Sequence, residues 1–141
     1  MSKLGIGIIG GGYMGKAHAA AYGSVGTLFE TALRPELEMV CATTNLSAEK
    51  YQKNYGFKSS TTNWRDVTNN ANVDAIVIAS PQSTHCEIAL EAFKNKKHVF
   101  CEKIVKNTTF ELLDHHHELN QKKLILLKLF MLKIDSTMLK L

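Results

Sequence analysis

The sequence predicts an α/β domain built as a doubly wound parallel sheet, and three observations carry that expectation. Short apolar stretches alternate with helical patterns at intervals suited to helical crossovers between parallel strands. One stretch, Asp74-Ala75-Ile76-Val77-Ile78-Ala79, is apolar almost throughout, as a strand covered on both faces must be. Consecutive glycines at Gly10, Gly11 and Gly12 end the first apolar stretch and precede a helical pattern. The 141 residues amount to a single domain with enough chain to bury a sizeable core.

The elements follow in order. Leu4 to Ile9 reads as a buried strand, and the turn runs from Gly10 to Gly15. Ala17, Ala20, Ala21, Ser24, Val25 and Leu28 recur at helical spacing, which predicts a first helix with those residues inward. Leu37 to Thr43 is a second strand; Ser47 is placed to cap a helix that runs to Tyr55 and stops at Gly56. Asn63 is placed to cap a shorter helical turn through Val67. After the Asp74–Ala79 strand, Thr84 and Glu87 have the spacing of a capping box, with Ile88, Ala89, Ala92 and Phe93 on the inward face. Lys94, Lys96 and Lys97 close that helix, where cations offset the negative end. His98 to Cys101 is the next strand, and Thr108 with Glu111 predicts another capped helix.

Composition narrows the function classes. The net charge is +4, but basic and acidic residues balance through residue 120, and the excess sits in residues 121–141, where five lysines face Asp135 alone. A basic tail is not a basic binding face, so nucleic acid is not an expected partner. Cys41, Cys86 and Cys101 are odd in number and lack metal-ligand spacing, which predicts three buried thiols acting as small hydrophobes. Met1 to Leu4 carries no secretory signal, and no apolar run approaches a membrane span, so the expected setting is cytoplasmic.

The glycine turn carries the chemistry. Gly10, Gly12 and Gly15 fit G-x-G-x-x-G between a strand and a helix. The first glycine allows the turn, the second admits a diphosphate to the backbone, and the third lets helix and strand pack; Tyr13 and Met14 lie within the same loop. Gly10 to Lys16 also fits G-x-x-x-x-G-K, but Ala17 stands where a nucleotide triphosphatase needs a hydroxyl for magnesium. At the end of the second strand, where an acid usually binds the ribose 2′-hydroxyl, stand Cys41-Ala42-Thr43-Thr44-Asn45. With no carboxylate to repel a 2′-phosphate and no cation to attract one, Thr43 and Thr44 suit either NAD or NADP.

Four further segments accompany the loop: Gly15-Lys16-Ala17-His18, Leu33 to Cys41, Ala79-Ser80-Pro81-Gln82-Ser83-Thr84-His85, and Val99-Phe100-Cys101-Glu102-Lys103. In this order they resemble the N-terminal Rossmann domain of the Gfo/Idh/MocA oxidoreductases, over roughly residues 4–120. The resemblance implies hydride transfer between nicotinamide and a hydroxyl of a sugar, inositol or related compound. It implies that Ser80, Pro81 and His85 line the cofactor groove, with Gln82 in place of the usual Asn. It also implies that Glu102 and Lys103 stand for the family's E-K-P, with Lys103 as the catalytic cation beside the reacting carbon. Ile104 replaces that Pro, and a non-proline cis bond costs ~2.5–4 kcal/mol, so a trans bond is expected there. His18 is expected to be an ordinary packed or exposed helical residue. No metal site is expected: His115, His116 and His117 point about 100° apart on a helix and cannot converge on one ion.

The resemblance further implies a second, sheet-containing domain with a D-x-x-x-H acid/base pair, and no such motif follows His117. The expected organisation is therefore a dinucleotide-binding domain over residues 1–120 and an apolar, basic segment over 121–141, either a last strand from Leu124 or an aberrant tail. A truncated chain is the expectation, catalytically incomplete by itself. It would bind a dinucleotide, work with a separate substrate-domain chain, or serve as a non-catalytic binding module.

Overall fold

The computed structural model describes residues 2–102. Lys103, the Thr108–Glu111 pair, His115 to His117, the strand expected from Leu124 and the whole of segment 121–141 lie outside the described residues. The elements run β1 (Ser2–Ile9), α1 (Tyr13–Leu28), β2 (Leu33–Cys41), α2 (Asn45–Tyr55), β3 (Ser59–Thr61), α3 (Trp64–Asn69), β4 (Ala75–Ile78), α4 (His85–Lys94) and β5 (His98–Cys101). A single 3₁₀ turn, Gln82–Thr84, leads into α4. The strands form one parallel sheet in the order β3-β2-β1-β4-β5. The order reverses direction beside β1, so a crevice opens where β1 and β4 end.

The sheet is covered on both faces. Ile9, Cys41, Ile76 and Ile78 project toward α3 and α4 and pack with Val67, Val73, Ile88 and Ala92. Strand alternation turns Ile6, Ile8, Val40 and Val77, all at most 1% exposed, to the opposite face, which carries α1. Burying each such aliphatic side chain contributes roughly 1.5–3 kcal/mol. The doubly wound architecture predicted from the alternating pattern is thus the one observed.

Local chemistry sets the element ends. β2 begins at Leu33 rather than Leu37, and Pro35 is tolerated because β3 pairs only with Met39 to Cys41, leaving the far side of Pro35 unpaired. A bulge between Ile6 and Gly7 inserts Glu38 into β2, and its carboxylate reaches Lys58. Helix α2 is capped by Thr44, whose side chain exchanges hydrogen bonds with Ser47 in a capping box, so Ser47 is the reciprocal partner and not the cap. Gly56 closes α2 in the left-handed conformation at φ 77°, which only glycine adopts freely. Asn63 caps α3 as expected, accepting from the Arg65 amide.

Four further expectations are corrected. The buried stripe of α1 is Gly15, His18, Ala19, Tyr22 and Val25, while Ala17, Ala20, Ser24 and Leu28 are exposed. The run around it is almost uniformly small, so periodicity alone does not fix the inward face, and a buried histidine hides the true stripe. The Thr84–Glu87 capping box does not form: Thr84 already has helical dihedrals and hydrogen-bonds backward to Pro81, and Glu87 pairs with Arg65 at 2.6 Å. The cysteines are not alike, since Cys41 is buried, Cys86 exposed and Cys101 half-buried. Lys97 also acts differently from a helix-end cation, donating to the carbonyls of Asn70 and Val73 ahead of β4, both at 2.7 Å.

Candidate functional site

A single row of paired residues crosses the sheet near its carboxyl edge: Thr61, Cys41, Ile9, Ile78 and Cys101. The residues that follow them meet at one mouth. Gly10 follows Ile9, Ala42 and Thr43 follow Cys41, Ala79 and Ser80 follow Ile78, and Glu102 follows Cys101. Each strand is tied by one more amide: Gly10 to the Cys41 carbonyl, Ala79 to that of Ile9, and Glu102 to that of Ile78. Of the residues predicted to act, all but Lys103 are therefore described, and they gather at this edge.

The glycine turn is built as its pattern requires, and its three glycines have different reasons. Gly10 has φ 121°, and a Cβ there would lie 2.3 Å from the Ala79 carbonyl oxygen. Gly15 is buried against the turn, and a Cβ there would lie 2.1 Å from the Gly10 carbonyl oxygen and 3.0 Å from the Tyr51 hydroxyl. Gly12 is the exception, because a Cβ there would meet nothing within 4 Å. The protein's own packing explains Gly10 and Gly15; Gly12 leaves open space on the outer side.

That space lies before the start of α1. Gly12 is the N-cap and offers no side-chain cap, and no acid occupies the first turn. The first amides of a helix have no intrahelical acceptors, so this end presents N–H groups and positive potential with no acid of its own first turn to use them. Tyr13 and Met14, expected within the loop, instead belong to the first turn of α1, which begins directly after Gly12; they flank the opening, 84% and 41% exposed. Beneath the loop the Tyr51 hydroxyl is buried with no hydrogen-bond partner among the described residues, and burial raises its pKa. The cradle of open space, unused amides and the switch-point crevice fits a dinucleotide diphosphate.

The second-strand end divides the roles expected of its threonines. Thr44 is occupied in capping α2, its hydroxyl accepting from the Ser47 amide at 3.2 Å. Thr43 is exposed at the mouth, as are Asn45 and Leu46.

On the other side of β1, Ser80 and Pro81 form a braced turn. Thr84 donates to the Pro81 carbonyl at 2.7 Å and accepts from the Ser80 hydroxyl at 2.7 Å. His85, 6% exposed, donates from Nε2 to the Ser80 carbonyl at 2.7 Å, and its Nδ1 lies 3.1 Å from Cys101 Sγ. At the end of β5, Glu102 Oε1 sits 2.6 Å from His18 Nε2. His18 is itself buried, edge-on to Phe100 with ring centroids 5.1 Å apart. Sequence reasoning gave His18 no partner; only the fold brings it across 84 residues to Glu102.

The opposite edge of the sheet carries a charged groove lined by Lys3, Glu36, Glu38, Lys58 and Asp74. Its charges are largely used internally: Lys3 and Lys58 both bind Glu36, and Asp74 accepts from the Gly5 amide. Among the described residues no helix is long and apolar enough to cross a membrane.

Comparison with known proteins agrees with the geometry. The profile of the GFO_IDH_MocA oxidoreductase family, NAD-binding Rossmann fold, matches residues 4–128. Levoglucosan dehydrogenase of Pseudarthrobacter phenanthrenivorans is 35% identical over 127 residues, covering 89% of this chain and 32% of the relative. Inositol 2-dehydrogenase/D-chiro-inositol 3-dehydrogenase of Lactiplantibacillus plantarum is 26% identical over 123 residues, covering 84% of this chain and 33% of the relative. A solved levoglucosan dehydrogenase in complex with NADH superposes with a TM-score of 0.68 at 34% identity, over 71% of this chain and 27% of that one. The chain thus spans about a third of the length of these relatives.

Proposed function

The chain belongs to the Gfo/Idh/MocA oxidoreductases as an NAD-binding Rossmann domain, and from that premise we propose that it holds the dinucleotide for hydride transfer to or from a hydroxyl of a sugar, inositol or related compound. One observation carries the reading: an uncapped, acid-free helix start behind a glycine whose outer side is open. The amides at Gly12 to Gly15 hold the diphosphate, and Gly10 shapes the turn that aims them.

The remaining roles follow from position. Thr43 reaches a ribose hydroxyl, while Thr44 keeps α2 in register beneath it. The Ser80–Pro81 turn, braced by Thr84 and His85, forms the wall toward the nicotinamide half. Glu102 is held by His18 at the floor of that half, and Lys103, next in sequence, supplies the ammonium that stabilises the alkoxide developing when a hydroxyl is oxidised. A bound nicotinamide supplies the hydride acceptor or donor. Substrate orientation and the acid/base pair belong to a partner domain or chain, without which proton transfer loses typically 10²–10⁴-fold.

Fluorescence titration with NADH and NADPH tests the reading. Saturable binding is expected with both, because no carboxylate at the mouth of β2 rejects a 2′-phosphate. Absence of saturation below millimolar concentration for either dinucleotide would overturn it.

A further inference from the structure

The geometry points to Cys101 as an activated thiol, a site of reversible modification by low-molecular-weight disulfides, with His85 as its base. The argument begins with the tautomer. His85 Nε2 faces the Ser80 carbonyl oxygen at 2.7 Å, and a carbonyl only accepts, so Nε2 carries a proton. In the neutral ring Nδ1 is then an acceptor, and it lies 3.1 Å from Cys101 Sγ. The thiol donates to a base that a third group holds in place, the arrangement that activates a nucleophile.

The place of the pair on α4 adds to this arrangement. His85 is the first residue of α4, so the pair sits at the positive end of a ten-residue helix. Glu87, the nearest acid along that helix, is held by Arg65. The other cysteines differ. Burial and the Asp66 carboxylate push the Cys41 thiol up to about 11, which keeps it protonated and inert. Cys86 is exposed in the first turn of the same helix, so as an internal standard it shares the helix potential and the comparison isolates the effect of the His85 base.

The step balances without an outside oxidant beyond the disulfide itself. Cys101 passes its proton to His85 Nδ1, and the thiolate attacks one sulfur of the disulfide. A Cys101 mixed disulfide forms as the original S–S bond breaks, and the departing thiolate recovers the proton from His85. Cys101 is oxidised and the departing thiol is reduced. The mixed disulfide also removes the thiol's hydrogen bond to His85, which braces the Ser80 turn. Where that turn walls the cofactor, as proposed above, modification weakens dinucleotide binding, and bound dinucleotide slows modification by the same coupling.

The test uses the full reduced chain and oxidised glutathione at one pH, with each cysteine's labelling rate read by peptide mass spectrometry. In the folded protein the ratio of Cys101 to Cys86 labelling is expected to exceed that in urea by about tenfold or more, since the base acts only when the fold holds it. His85→Gln is expected to lower the ratio to its value in urea. A folded ratio at or below the unfolded one overturns the proposal without any variant, and so does a folded His85→Gln protein that labels like wild type. Glutathionylated protein is expected to bind NADH about tenfold more weakly, equivalent to about 1.4 kcal/mol; unchanged affinity removes the regulatory part. Failure of unmodified protein to bind NADH would instead overturn the cofactor reading, and the labelling ratio would still decide the thiol.

Discussion

Glu102 accepts its hydrogen bond from His18 at 2.6 Å, joining the end of the last described strand to the first helix directly behind the glycine turn. The two side chains are 17% and 7% exposed, so neither is fully served by water. The contact fixes the spacing between the start of α1, behind the glycine turn, and the end of β5. It is a positioning pair, set on the side of the sheet opposite His85 and Cys101.

Removing one partner leaves the other buried and short of a hydrogen bond, which costs about 1–3 kcal/mol. His18→Ala and Glu102→Gln are each expected to lower stability in urea denaturation by that order. The double variant is expected to lose less than the two losses added together. Strict additivity in the cycle would show that the contact carries no coupling energy.

The two adjacent threonines at the end of β2 are expected to separate cleanly. Thr44→Ala removes the cap of α2 and should cost about 0.5–2 kcal/mol. Thr43→Ala should leave stability within about 0.5 kcal/mol, as surface substitutions do, while Thr43→Asp should weaken NADPH relative to NADH by repelling the 2′-phosphate. Paired thermal melts and dinucleotide titrations of these variants check both halves.

Much of this frame was legible from residue patterns, and the failures have physical causes. His98 to Cys101 is a strand with the bounds its apolar run predicts, and Asn63 caps α3 because a short amide side chain ahead of a helix has little else to do. β3 was not visible: Ser59-Ser60-Thr61 is a short, polar edge strand held by pairing with Met39 to Cys41 and not by its own hydrophobicity. The buried face of α1 was hidden by alanines that suit either side. The roles of His18 and Cys101 depend on contacts between distant segments, which local spacing does not encode. The glycine loop was readable because backbone geometry demands glycine at Gly10 and Gly15, and those demands are local.

The ion-pair cluster at the amino end of the sheet predicts a pH dependence. Hydrogen bonds from Lys3 and then Lys58 lower the Glu36 carboxyl from 4.5 to about 2. A carboxylate whose pKa is depressed on folding stabilises the native state above its unfolded value and loses that contribution as pH falls toward the folded one. Stability is therefore expected to decline from about pH 4.5 toward pH 2, less steeply in high salt because the pair is solvent-screened. Glu36→Gln is expected to flatten that limb in acid-denaturation curves; an unchanged limb would place the titration elsewhere.

Gly12 and Gly15 give the sharpest contrast between folding and binding. A methyl at Gly15 meets the Gly10 carbonyl oxygen at 2.1 Å, and a backbone oxygen inside a tight turn cannot swing aside. Gly15→Ala is expected to destabilise the free protein by about 1–3 kcal/mol. A methyl at Gly12 meets no atom of the protein, and the φ of −76° there is open to any residue. Gly12→Ala should therefore fold with nearly wild-type stability, apart from a small loss of N-cap preference. Its methyl would stand on the side from which the proposed function brings the diphosphate to the amides, so NADH affinity should fall about tenfold or more. Thermal melts and NADH titrations on the two variants separate these effects. A Gly12→Ala protein that bound NADH like wild type would show that the open side of the turn is not where the diphosphate enters.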